Sequence, residues 1–445
     1  MTNEQGLSWL SIIRLGLVQS ALGSIVVLTT STLNRVMVVE LGLAATIPGA
    51  LVGLHYGVQI SRPLWGHGAD GGGSRTRWIV AGLVLLALAG TGAAATTLLF
   101  ETQFALALLA ATLCFTLIGF GIGAAGTSLL ALLASRTAPT RRPAAATIVW
   151  MMMIAGIVVT AIVSGIHLDP YSHAQLVKVT AIAGAVSCTI AILAVAGIER
   201  RAAVVGAADA PTQKIPFRQS FAETWADPQA RIFTIFVFVS MLAYSTQDLI
   251  LEPFAGLLYG MTPGESTQLG GMQHGGVFVG MALVGIVGTL MARRKPEILK
   301  LFTVAGCIGS GIALALLAAS ASLAPAWPLK ANVFALGFAN GVFAVAAIGT
   351  MMTLAGGGGG SREGIRMGLW GAAQAIAFGL GGFLGTVSID ATRAITGDVP
   401  LSFAIVFGAE AALFVAAAVI ALHVGARPRN SSSTGLGPIS LQPAE

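Results

Sequence analysis

Charged side chains are scarce in this sequence. Asp, Glu, Lys and Arg make up 9% of its 445 residues, against roughly 25% in an ordinary soluble domain, which excludes a water-facing surface of normal extent. Cysteine is rarer still. Cys114, Cys188 and Cys307 each lie alone within an apolar stretch, so no disulfide framework or cysteine-based metal site can be read, and buried free thiols are expected. The start, Met1 to Gly6, lacks the basic residues and small-residue cleavage site of a signal peptide, and the first apolar segment is expected to stay in the mature protein. A net charge of +6 is read as contact with anionic lipid headgroups and not with nucleic acid.

What the chain has instead is apolar length, 55% of its residues being hydrophobic. Runs of about 20 residues or more, enough to cross a bilayer, recur near 10–33, 46–66, 78–100, 103–134, 144–166, 174–197, 229–251, 267–292, 297–323, 328–355, 365–388 and 401–424. An all-α membrane protein with twelve transmembrane helices follows. Arg75, Arg77, Arg136, Arg141, Arg142, Arg200, Arg201, Arg293, Arg294 and Lys295 fall on one side of the inferred bilayer, while Lys178, Lys330 and Arg393 fall on the other. Basic loops are retained in the cytoplasm, so both termini are expected there.

The chain is also duplicated. His55 and His274 each begin His-x-Gly-Val at an offset of 219; Gly66 and Gly285, then Arg75 and Arg294, continue the match. Trp150 with Trp370 and Arg142 with Arg362 echo it at 220. Such repeats mark secondary transporters, whose working cavity lies between the halves. The expected division is a six-helix bundle over 1–197, a cytoplasmic linker over 198–228, a second bundle over 229–424 and a disordered cytoplasmic tail over 425–445. In the linker Phe217, Phe221 and Trp225 recur every four residues, as in a short amphipathic helix lying on the membrane, or as incidental aromatics in a solvated linker. Gly356 to Gly360 reads as a flexible tether; no Gly-Lys-Ser/Thr follows it, which argues against a phosphate-binding loop.

Ionisable groups within the membrane are costly and mark function. Gly16, Ser20, Gly23, Val27, Thr30 and Asn34 form a narrow seam on the first helix that should pack against another. Arg35 and Glu40 are five residues apart and share no face of an α-helix. Arg35 is therefore expected to pair elsewhere, with Asp248 or Glu252 beside Gln247 as candidates, in a network that is structural or touches a substrate. Glu410, alone in the last span, is expected to be protonated, paired across helices or facing a wet cavity. His55, Gln59 and Arg62 share one face of the second helix and form a satisfied polar seam or a ligand site. Before His274, Gly270 and Gly271 occupy the turn over which its side chain leans. They are expected to leave a flat bare surface suited to a planar macrocycle whose central metal accepts an imidazole nitrogen; packing or hydrogen bonding is the plainer alternative. The protein itself shows no direct metal site.

Gly66, Asp70, Gly73, Arg75 and Arg77 between the second and third helices look like the cytoplasmic signature loop of the major facilitator superfamily. Several strings together resemble the PucC family, the bacteriochlorophyll-delivery branch of that superfamily, which includes LhaA-type assembly factors. They are Leu15 to Gln19, Thr29 to Leu41 (TTSTLNRVMVVEL), His55 to Gln59, Gln247 to Gly256 (QDLILEPFAG), Thr262 to Glu265, Gln273 to Gly276 and Arg366 to Gln374 (RMGLWGAAQ). The resemblance implies two six-helix pseudo-repeats, the photosynthetic inner membrane of a bacterium, and a role in assembling light-harvesting complexes. It implies bacteriochlorophyll or its precursor as cargo, and antenna polypeptides as partners, with pigment-synthesis enzymes and membrane lipid beside them. His274 would face the pigment, with His55, Gln273, Trp370 and Gln374 as further candidates. A prenyl transferase would need clustered cytoplasmic carboxylates for magnesium pyrophosphate. Glu223 and Asp227 are the only such pair on that side, so catalysis is not expected. The alternatives are a proton-coupled transporter of a small solute, or a pigment-free scaffold for antenna polypeptides.

Overall fold

The computed structural model describes residues 6–59, 74–138, 141–201, 225–291, 297–356 and 363–424. Twelve long helical segments follow one another: α1 (Trp9–Glu40), α2 (Thr46–Val58), α3 (Arg75–Thr96), α4 (Phe104–Arg136), α5 (Arg142–Leu168), α6 (His173–Val195), α7 (Pro228–Tyr259), α8 (Pro263–Met291), α9 (Ile298–Ser320), α10 (Leu329–Gly356), α11 (Glu363–Thr396) and α12 (Val399–His423). Among the described residues eleven are long and apolar enough to cross a membrane. The exception, α2, is described over 13 residues. The chain is a multi-pass membrane protein. Arg62, Gly66, Asp70, Gly73, Phe217, Phe221, Glu223, most of the glycine run and the tail lie outside the described residues.

Local chemistry sets the ends of these rods. Ser8, Ser172, Asp227 and Asp398 cap α1, α6, α7 and α12 by accepting backbone N–H groups that the first turn leaves free. Gly260, at φ 65°, closes α7 in a left-handed turn that a side chain would disfavour. Within α1 the winding changes, with π-turns over Leu28–Thr32 and Val36–Glu40 flanking Leu33–Arg35. Thr29 and Thr30 sit in the first of them and donate to Val26 O, at 2.9 Å each, so hydroxyls take up carbonyls near the widened ladder.

Two large apolar cores form. One gathers α1 to α6 around Ile12, Leu15, Val18, Leu86 and Phe115. The other gathers α7 to α12 around Phe233, Phe254, Phe343, Trp370 and Phe407. Within the second, α8 and α10 approach backbone to backbone. A Cβ on Gly337 would lie 1.9 Å from Gln273 O, and one on Gly341 2.1 Å from Val277 O. Without a strong hydrophobic drive between helices in lipid, such close approach is how they adhere.

The halves meet along α2 against α11 and α5 against α8, with the outer end of α1 against α7. Val27, Leu28, Ile154, Ile157, Val277 and Met281 make a small apolar cluster across that boundary.

Candidate functional site

A set of side-chain hydrogen bonds joins the halves at the face opposite the chain termini. Thr32 and Thr267 share a hydroxyl bond of 3.0 Å. Asn34 Nδ2 donates to Leu249 O at 2.6 Å, and Arg35 Nη2 to Met261 O at 2.6 Å. The Asp390 carboxylate, near the end of α11, accepts from Ala45 N (3.1 Å), Thr46 N (2.7 Å) and Thr46 Oγ1 (2.6 Å), so it caps the start of α2 from the other half. Thr262 Oγ1 donates to Asp169 at 2.9 Å.

One expectation is corrected here. Arg35 pairs with Glu40 after all, through Nη1 and Oε1, because the π-winding around Arg35 brings residues five apart onto one face. Glu252 still stands near: its Oε1 lies 3.0 Å from where a Cβ on Gly270 would sit, and the Arg35 guanidinium lies 3.0 Å from the same position on Gly256. Tyr171, in the turn between α5 and α6, has its phenol pKa raised first by burial and then by the Glu40 charge, with Arg35 opposing.

Inward of these bonds, rings in contact run from one half to the other: His55 to Tyr56 (centroids 4.1 Å apart), Tyr56 to Phe378 (6.1 Å), Phe378 to Tyr244 (5.8 Å). His274 stands seven residues, about two turns, inward of Thr267 on the same side of α8. It lies deep in the bundle yet keeps part of its surface open. Its Nδ1 is 2.9 Å from Gly270 O. A carbonyl can only accept, so Nδ1 carries the proton, and in the neutral ring Nε2 presents its lone pair. His55 makes the same bond to Val52 O, at 2.6 Å, but is 1% exposed.

The bare surface expected before His274 is not there. Gly270 receives the Glu252 carboxyl, and Gly271 receives α5, with Ala161 Cβ 3.1 Å from the position of an added Cβ. Both glycines serve packing. Open space adjoins Gly57 and Gly275 instead, where an added Cβ would meet nothing within 4 Å.

The remaining candidates scatter. Trp370 is 1% exposed, edge-on to Phe233 at 4.8 Å, with its N–H 3.5 Å from Ala230 O; it belongs to the core between α7 and α11 and lines no groove. Gln273 is buried where α8 meets Gly337 of α10. Gln374 is half-buried, with Nε2 3.9 Å from Met241 Sδ. Gln59 is buried at the end of α2. Gln247 and Glu410 are buried in the second half, while Asp248 keeps a partly open surface.

Of the signature loop, Arg75 donates to Ala131 O at 3.1 Å and to Ser135, tying α3 to α4; Arg77 is exposed. No sequence pattern pointed to Glu199, whose carboxylate accepts from Arg75 N at 2.8 Å and from Ser74 Oγ and so caps α3. Burial works to raise its pKa, but hydrogen bonds from Ser74, Thr76 and the amides of Arg75 and Thr76 outweigh it and hold the carboxyl below its ordinary value. Tyr56, Tyr244 and Asp390 were missed as well. Each is a polar group inside or beside an apolar span, and that signal alone could have flagged them.

Comparison with known proteins places this architecture. The profile of the family described as PUCC protein matches residues 32–428. A Rhodobacter capsulatus protein named bacteriochlorophyll synthase 44.5 kDa chain is 52% identical over 418 residues, covering 94% of this chain and 96% of that one. Protein PucC of the same organism is 28% identical, covering 92% and 91%. Among solved structures, a peptide transporter POT in complex with sulfate aligns with a TM-score of 0.67 at 13% identity, over 93% of this chain and 94% of that one. A bacterial homologue of the lysosomal transporter Spinster, inward-facing and unoccupied, gives 0.64 at 13% identity, with the same shares covered. These structural likenesses establish a fold like that of the major facilitator superfamily.

Proposed function

The chain belongs to the PUCC family, and we propose that it is a non-enzymatic assembly factor, which binds bacteriochlorophyll or its precursor within the bilayer and passes it to light-harvesting antenna polypeptides. The observation that carries this reading is His274. A helical imidazole tied through Nδ1 to its own backbone, partly exposed and beside the open space at Gly275, would offer Nε2 to a chlorophyll magnesium. A neutral nitrogen donor would suffice there, and no protein carboxylate is required. With Gly270 and Gly271 already filled, the macrocycle would approach from the open side at Gly275 and stand beside α8, not lie on that turn.

The word synthase in a relative's name belongs to that relative. The basic residues Arg75, Arg77, Arg136, Arg141 and Arg142 share the terminal face, which supports placing that face and both termini on the cytoplasmic side of the inner membrane.

The test is to purify the full chain from a pigment-producing host and record its absorption spectrum. Bound bacteriochlorophyll should co-purify, and His274→Phe should lower its occupancy at least tenfold while membrane insertion is unchanged. Pigment-free protein, isolated under conditions that preserve light-harvesting complexes, would defeat the proposal.

A further inference from the structure

The second half contains a polar layer held between two aromatic ones. On the outer side Phe254 of α7 meets Phe403 and Phe407 of α12, with centroids 5.3 and 5.1 Å apart. On the inner side Phe343 of α10 meets Phe414 of α12 at 5.5 Å and Tyr244 of α7 at 6.3 Å. Gln247 lies seven residues before Phe254, Asn340 three before Phe343, and Glu410 three after Phe407 and four before Phe414. Helical spacing puts each on the face of its aromatic neighbour and at the level between the two layers. From α9, Ser310 donates to Asn340 Oδ1 at 2.7 Å, and a Cβ on the adjacent Gly311 would stand 3.2 Å from Ala411 O, which fixes that helix at the same level.

This layer is closed off from the surface and incompletely bonded. Gln247 and Asn340 are 0% exposed and Glu410 is 1% exposed. Gln247 Nε2 and Oε1, Asn340 Nδ2 and both Glu410 oxygens make no hydrogen bond. Buried polar groups are nearly always satisfied, so five orphan atoms on three converging helices indicate a ligand. Their chemistry narrows it. A metal ion would use the oxygens and leave two NH2 groups facing its charge; water serves donors and acceptors together. An ionised carboxylate with no donor in so apolar a setting is strongly disfavoured, and a proton removes the charge. Asp248, next to Gln247, keeps part of its surface open and lies within electrostatic range of Glu410.

We propose that this layer is a proton-binding site, in which water held by Gln247, Asn340 and Glu410 connects the Glu410 carboxyl to the partly exposed Asp248. A proton arriving from water at Asp248 binds one of its oxygens, crosses by way of the held water to a Glu410 oxygen, and returns by the same route; no electron moves. Like charge between the two carboxylates favours one shared proton over none. Among the described residues the titratable groups facing the layer are Asp248 and Tyr244 from α7 and Glu410 from α12. From α9 come Ser310 and, one turn inward, the buried Cys307 thiol, from α10 Asn340, and the charged Asp390 and Arg393 of α11 lie at its outer end. The site is independent of pigment carriage and can be tested on pigment-free protein.

Infrared difference spectra of the purified full-length chain, taken across a pH titration, read it directly. The wild type should show a carboxylic-acid carbonyl band that titrates and that shifts promptly in D2O, because held water gives access. Glu410→Gln should abolish the band, Asp248→Asn should displace its titration by at least one pH unit, and Asn340→Leu should keep the band but slow its exchange at least tenfold. A wild-type spectrum indistinguishable from that of Glu410→Gln would overturn the proposal, and so would a band that responds to sodium and not to pH. Should Glu410→Gln fail to fold, Asp248→Asn decides alone: an undisplaced titration rejects the coupling.

Discussion

Arg35 and Glu40 form an ion pair inside a single helix at a spacing of five residues, because α1 turns as a π-helix on either side of Arg35. The guanidinium is 2% exposed while Glu40 is 32% exposed, so the pair straddles the boundary between core and solvent. Glu40→Gln should therefore destabilise the protein by about 1–3 kcal/mol, since it leaves a buried guanidinium without its counter-charge while solvent at the Glu40 end limits the loss. Thermal unfolding in detergent would measure it. An unchanged midpoint would mean that Met261 O alone satisfies the guanidinium.

The two histidines should separate by phenotype. His55→Phe removes a fully buried polar contact and should cost about 1–2 kcal/mol of stability with pigment occupancy retained. His274→Phe should do the reverse. Parallel melting curves and absorption spectra of the two variants would decide, and equal pigment loss in both would revive two equivalent ligands.

Trp370→Ala should behave as a core truncation. Loss of its edge contact with Phe233 and of the surrounding packing should cost about 3–5 kcal/mol, seen as a lowered melting temperature or poor expression. Trp370→Phe, which keeps most of the volume, should recover most of that and leave any bound pigment's spectrum unshifted.

At the terminal face, Glu199 gives a pH dependence of known sign. Its folded pKa is depressed, so its contribution to holding α3 is present above the ordinary carboxylate value of 4.5 and is lost as pH falls below it through the folded value. Hydrogen exchange at the amides of Arg75 and Thr76 should quicken in that acid range. Glu199→Gln should exchange quickly at every pH, with its acid dependence flattened.

Asp390→Ala should loosen the outer closure, because the carboxylate satisfies two backbone amides and a hydroxyl of α2 at once. A helix cap of this kind is worth about 1–2 kcal/mol. A cysteine placed at Ala45 should then label several-fold faster with a membrane-impermeant reagent. Unchanged labelling would show that the other bonds between the halves suffice.

What could be read in the sequence was what depends on local or summed properties. Apolar length located the helices, since hydrocarbon leaves the backbone no other way to bond itself, and the repeated His-x-Gly-Val located the two halves. The misreadings share a cause: each turned on a partner remote in sequence or on winding that no pattern encodes. Arg35 and Glu40 were separated by assuming 3.6 residues per turn, and the π-turns undo that assumption. Gly270 and Gly271 were read as vacant because α5 and Glu252, which fill them, lie far away in the chain. Trp370 stood among residues that looked exposed to a groove, and only the packing of α7 on α11 buries it. The polar layer around Glu410 needed three helices to converge before Asn340 acquired any meaning.

Asp390, Arg35 and Thr267 pin the halves to each other from three separate helices at the face opposite the termini. Parting the halves at that face therefore means breaking bonds to a carboxylate, a guanidinium and a hydroxyl together.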